Sequence, residues 1–190
     1  MKSFIFTVLL IACFASASVR AQHDHDAHVH GAAHLDVVVD GAVLSLQLES
    51  PLDNLLGFEH EPRNKAERDK VTRMAAKLRE AAKLFTPTPE AACKPEQTRL
   101  VSSALTPELL GERAAEKQAA HAEAEEEEEE GHADLDASWQ FRCARPEALR
   151  GVDVRLFQVF SGIREIEAQV AGPRGQHGAR LTPDKRILTW

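Results

Sequence analysis

Between Gln22 and His34 the chain reads QHDHDAHVHGAAH, which places five of its nine histidines within one short stretch. His23, His25, His28 and His30 are interleaved with Asp24 and Asp26, and His34 follows close behind. Imidazole nitrogens and carboxylate oxygens are the donors that borderline divalent ions such as Zn2+ take up. In an extended chain, residues two apart point the same way, so His23 and His25 can face one ion, as can His28 and His30. A further ligand folding in, with Asp24 or Asp26 as reserve donors, would complete a tetrahedral shell. The bland alternative is a solvated polar leader. With no apolar periodicity, residues 22–31 are expected to be a flexible segment, suited to scavenging an ion rather than to catalysis.

Other metal-type residues are scattered behind this cluster. Glu59 and His60 sit in a loop opened by Gly57, and they offer a second ligand source. His34 opens the first strand and either leans toward the cluster or stands exposed at the strand edge. His121 and His132 bracket six consecutive glutamates, residues 125–130. That run attracts cations weakly or is simply a solvated loop, since like charges in a block repel one another.

The elements that must position these side chains follow from hydrophobic periodicity. Leu35, Val37 and Val39 alternate with polar neighbours, Asp40-Gly41 is a hairpin turn signal, and Leu44, Leu46 and Leu48 alternate again. A hairpin is therefore expected from Ala33 to Glu49, with a loop carrying Asn54, Gly57, Phe58 and His60. Asn64 is a fitting N-cap with Glu67 at the third helical position. Val71, Met74, Ala75, Leu78, Ala81, Ala82 and Phe85 recur at helical spacing and predict one long amphipathic helix over 65–84. A third strand is expected over 97–105. A charged acidic loop covers about 107–131, and a half-buried strand with Leu135, Ala137, Trp139, Phe141 and Cys143 facing one way follows it. Alternation through Val152, Val154 and Leu156 and through Ile166, Ala168 and Val170 predicts two more strands, with a short closing hairpin formed by 179–181 and 187–190. The fold class is α+β: an antiparallel sheet, one long helix, an acidic disordered insert and one disulfide.

Composition bounds the rest. The formal charge of −7 argues against a nucleic-acid surface, and tyrosine is absent. Lys2 followed by the apolar run 4–14, too short to span a bilayer, reads as a signal peptide over 1–21 with cleavage after Ala21. Lipidation at Cys13 is the rival reading, disfavoured because the apolar run continues past it. Removal of Lys2 and Arg20 would take the charge from −7 to −9. No later stretch reaches transmembrane length, and residues 32–190 are expected to form a single domain. Cys93 and Cys143 then remain, and in an exported chain they form one disulfide. A thiolate metal site is the alternative. His60-Glu61 lacks the second histidine of a zinc-protease pair, and no nucleophile elbow or P-loop is present, so no enzyme is expected.

Several segments together resemble the ZrgA-like family of zinc-regulated periplasmic proteins of Gram-negative bacteria. They are His28-Val29-His30-Gly31-Ala32-Ala33-His34-Leu35, Leu48-Glu49-Ser50-Pro51, Gly57-Phe58-Glu59-His60-Glu61-Pro62, Phe141-Arg142-Cys143, Phe160-Ser161-Gly162-Ile163 and Leu181-Thr182-Pro183. The resemblance implies a periplasmic Zn2+-binding accessory to high-affinity zinc import, working beside the solute-binding protein of a zinc ABC transporter. Members of the family often carry a histidine-rich middle insert. Here the insert is mostly glutamate, which shifts the expected ligand set to the N-terminal histidines. Two other readings stand beside this one. Cu2+ or Ni2+ also binds imidazole, and would make the chain a metal buffer. Alternatively the histidines are incidental to an interaction module.

Overall fold

The computed structural model describes residues 29–112 and 133–190. The expected hairpin is strand β1 (Ala32–Asp40) against β2 (Val43–Pro51), in register from His34 opposite Glu49 to Asp40 opposite Val43. Leu35, Val37, Leu44, Leu46 and Leu48 are fully buried on its inner face, as the period-two pattern requires. Around this hairpin a six-stranded sheet is built in the order β4-β5-β2-β1-β7-β8. Its further members are β4 (Cys93–Ser102), β5 (Asp134–Cys143), β7 (Glu165–Gly172) and β8 (Gly175–Leu181). A second sheet joins β3 (Phe85–Pro87), β6 (Gly151–Val154) and β9 (Ile187–Thr189).

Among the described residues, short or medium helical segments fall between strands: α1 (Leu52–Leu56), α2 (Lys65–Leu78), α3 (Ala81–Leu84) and α4 (Pro107–Leu110). Another, α5 (Leu156–Val159), follows β6. Helix α2 lays Val71, Met74, Ala75 and Leu78 into the core, and the inner faces of both sheets join the same apolar cluster. Phe85 and Trp139 meet edge to face with centroids 4.7 Å apart, linking the second sheet to the first. The outward face of the large sheet carries the polar residues of each strand.

Four expectations are corrected. The helix expected over 65–84 ends at Leu78, because the Leu78 carbonyl accepts the buried Trp139 indole N–H at 2.7 Å instead of serving the next helical turn. Arg79 leaves the helix with its guanidinium bonded to Thr98 O, Leu110 O and Glu112, and α3 restarts two residues later. The sheet is mixed rather than purely antiparallel, since β1 and β7 run parallel from Ala32 opposite Glu165 onward. The closing hairpin does not form. Its turn is present as a bridge between Thr182 and Lys185, but β8 pairs with β7 while β9 crosses to β6. Strand β4 starts at Cys93 rather than residue 97, with a bulge at Pro95 and Gln97 that absorbs the proline.

Two expectations agree closely with the structure. Asn64 caps α2 by accepting the Glu67 N–H, and the Glu67 carboxylate returns the contact by accepting the Arg63 N–H. Cys93 and Cys143 are directly opposed across β4 and β5 and form the disulfide.

Candidate metal centre

His30 stands on a built turn just ahead of β1. The Ala32 N–H donates to Val29 O at 2.9 Å, placing His30 and Gly31 at the two central positions. Gly31 has φ +94°, the left-handed value that this turn position demands, and a Cβ there would meet the Arg164 guanidinium at 3.0 Å. The Gly31 carbonyl accepts from the Arg164 and Glu165 N–H groups, at 2.8 and 3.0 Å, at the entry to β7. The Gly31 N–H donates to Asn54 Oδ1 at 2.6 Å. So Val29–Gly31, expected within the flexible segment, are an ordered neck.

The imidazole of His30 lies between two carboxylates. Its Nε2 is 3.0 Å from Glu59 Oε1, and its Nδ1 is 3.9 Å from Asp53 Oδ2. Asp53 belongs to α1, and Glu59 follows the Gly57 residue that closes that helix. Ligands about 2.0–2.1 Å from a tetrahedral zinc ion are separated by about 3.3 Å. The Nε2 to Oε1 gap is close to that edge, so an ion can replace the bridging proton with a few tenths of an ångström of movement. The other ring nitrogen then faces the Asp53 carboxylate at 3.9 Å, beyond direct hydrogen-bond reach, so that Asp53 acts on the ring through its charge. His30 is 56% exposed and Glu59 17%, which leaves the imidazole open to solvent above a mostly covered carboxylate.

The other sequence candidates are placed differently. His34 points along the outer face of the sheet, opposite Glu49 on β2 and Glu167 on β7, with its Nδ1 4.0 Å from Glu167 Oε2. Glu167 is shared with Arg180, which also reaches Glu165. Beyond Glu49 in the same row lies Asp136. Although Asp136 keeps solvent on one side, partial burial pushes its carboxyl up to about 6, with repulsion from Glu49 and Asp134 adding to the effect. His60 turns away from Glu59: its ring stacks on Phe58 with centroids 4.9 Å apart, and its Nδ1 lies 2.9 Å from Glu61 O. His177 contacts Thr189 O. His23, Asp24, His25, Asp26, His28, His121 and His132 lie outside the described residues.

Among the described residues no three His, Cys, Asp or Glu side chains already stand as a metal-holding group. His30 and Glu59 form a pair of donors, and a full shell needs ligands from elsewhere. A concavity of about 590 Å3 lies on the open sheet face among Asp36, Gln47, Gln140, Gln169 and His177, and includes neither His30 nor Glu59. The sequence pattern does not mark Asp53 or Asn54 as site residues. Their only signal was their position at the end of a strand, where a turn of helix carries both to the neck.

Residues 27–190 match the family model described as ZrgA family zinc uptake protein. The chain belongs to the ZrgA family of zinc uptake proteins. The matched span opens just ahead of His28 and contains the whole neck, so His30, Asp53, Asn54 and Glu59 all lie within the family's domain, whereas His23 and His25 precede it. No curated protein matches the chain. Among the described residues no helix is long and apolar enough to cross a membrane.

Proposed function

We propose that this protein captures Zn2+ in the periplasm at the His30–Glu59 pair and passes it to the solute-binding component of a zinc ABC importer. The carrying observation is the 3.0 Å separation of His30 Nε2 and Glu59 Oε1 on a clamped turn, with Asp53 behind the other ring nitrogen. His23, His25 and His28 supply the remaining imidazoles from the chain immediately before the neck. Family membership supports zinc as the cargo over copper or nickel, which imidazole alone does not distinguish. The apolar N-terminal run and the Cys93–Cys143 disulfide support an exported, oxidising location. An exposed imidazole on a half-preformed site gives quick loading and release, which transfer to a partner requires.

The test is a zinc titration against a chromogenic chelator, on the wild-type protein, on Glu59→Gln, and on a variant with His23, His25 and His28 all changed to alanine. Both variants are expected to lose affinity by about tenfold or more, the range seen when groups around a metal are removed. A Glu59→Gln protein that competes as well as wild type would remove the pair from the site.

A further inference from the structure

The neck turn does not hold its shape by itself, and one buried side chain joins it to the element that carries the carboxylates. Asn54 is 3% exposed and uses both ends of its amide. Its Oδ1 accepts the Gly31 N–H at 2.6 Å, and its Nδ2 donates to Ala32 O at 2.7 Å and to Ser50 Oγ at 3.2 Å. Gly31 is thereby held through its N–H by Asn54 and through its carbonyl by the Arg164 and Glu165 amides. Asn54 is adjacent in sequence to Asp53, so a single turn of α1 sets both the backbone of His30 and the carboxylate facing its Nδ1. Its own position is fixed from behind. Gly162 packs against the Asn54 backbone so closely that a Cβ at Gly162 would lie 2.3 Å from Asn54 O.

Taking His30 as a zinc ligand, as read above, we infer that Asn54 is the positioning residue of the site and acts on zinc affinity through His30. An aspartate in its place would lose the donor to Ala32 O, and an apolar residue would lose all three contacts and leave buried backbone groups unpaired. A buried asparagine with such bonds also serves folding, so the decisive readout is coupling rather than affinity alone.

The experiment is a double-mutant cycle on the full chain with Zn2+ alone as probe, reading affinity by chelator competition and folding by thermal denaturation. Asn54→Ala is expected to weaken zinc binding by about tenfold or more, the scale of outer-shell substitutions, and to have less than about a twofold effect when His30 is already alanine. Ser50→Ala removes only one of the three contacts of Asn54, and should weaken binding in the same direction by about two- to threefold without unfolding the protein. Leu188→Ala, in the second sheet, lowers stability by a cavity and should leave zinc affinity unchanged. Additive losses from Asn54→Ala and His30→Ala, or wild-type affinity in both Asn54→Ala and Ser50→Ala, would overturn the inference. Wild-type affinity in His30→Ala would instead overturn the site and the inference with it.

Discussion

His30 and His34 are four residues apart, and each faces carboxylates, yet the two surroundings differ in kind. His34 stands on a central strand in a straight cross-strand row with Asp136, Glu49, Glu167 and Arg180. Neighbouring strands lie about 4.8 Å apart with their side chains nearly parallel, so the donors in such a row stay spread out. The His34–Glu167 pair there is at 4.0 Å, and Arg180 competes for its carboxylate. His30 sits on a turn, and its carboxylates come from a helix and a loop that approach from different directions. There the nearest pair is at 3.0 Å. Donors converge on a point when different elements carry them, whereas a ladder within one sheet disperses them. The ladder balances charge, whereas the neck brings an imidazole and a carboxylate together.

Substitutions can break or sharpen this contrast. The largest effect is expected from His30→Ala, which should cost zinc affinity at least about a hundredfold, the upper end or more of what loss of an outer-shell partner costs. Asp53→Asn keeps the shape but removes the charge facing Nδ1, and chelator competition should show a loss of about tenfold. In the ladder, His34→Ala and Glu167→Gln should each change zinc affinity by less than about twofold, since exposed pairs of this kind contribute little. A loss at His34 as large as that at His30 would erase the distinction.

The smallest effect concerns stability. Asp136 is raised from its ordinary 3.8 to about 6 in the folded protein. Between those values the folded state holds a proton that the unfolded chain has released. Stability therefore falls as pH rises through this window, and the cost is complete above about pH 6. Asp136→Asn should stabilise the protein at pH 8 by less than about 1 kcal/mol, since solvent screens the exposed side. At pH 3.5 it should make no difference. Urea denaturation at the two pH values checks both the sign and the size.

Much of the fold is legible in the chain because it rests on local rules. Alternation places Leu35, Val37, Leu44, Leu46 and Leu48 inward, and the Asn64–Glu67 capping box marks where α2 begins. What is not legible depends on distant partners. Helix α2 stops at Leu78 because Trp139, 61 residues away, takes its carbonyl. The parallel pairing of β1 with β7 and the crossing of β9 to the second sheet are likewise long-range choices. At the site, the histidine pattern draws attention to His30, but it says nothing of Asp53 and Asn54, which reach the neck only through the fold. Glu59 and His60 look like a joint ligand pair, but neighbours in a non-helical segment point opposite ways, and only Glu59 turns to His30.

The most direct test of the zinc site is a long-range imidazole 1H–15N correlation spectrum of the protein as zinc is added. The account predicts that at one equivalent the His30 ring becomes ligated through Nε2 with its Nδ1 protonated toward Asp53, while the signals of His34, His60 and His177 stay in place. An unchanged His30 beside a zinc-shifted His34 or His60 would contradict it.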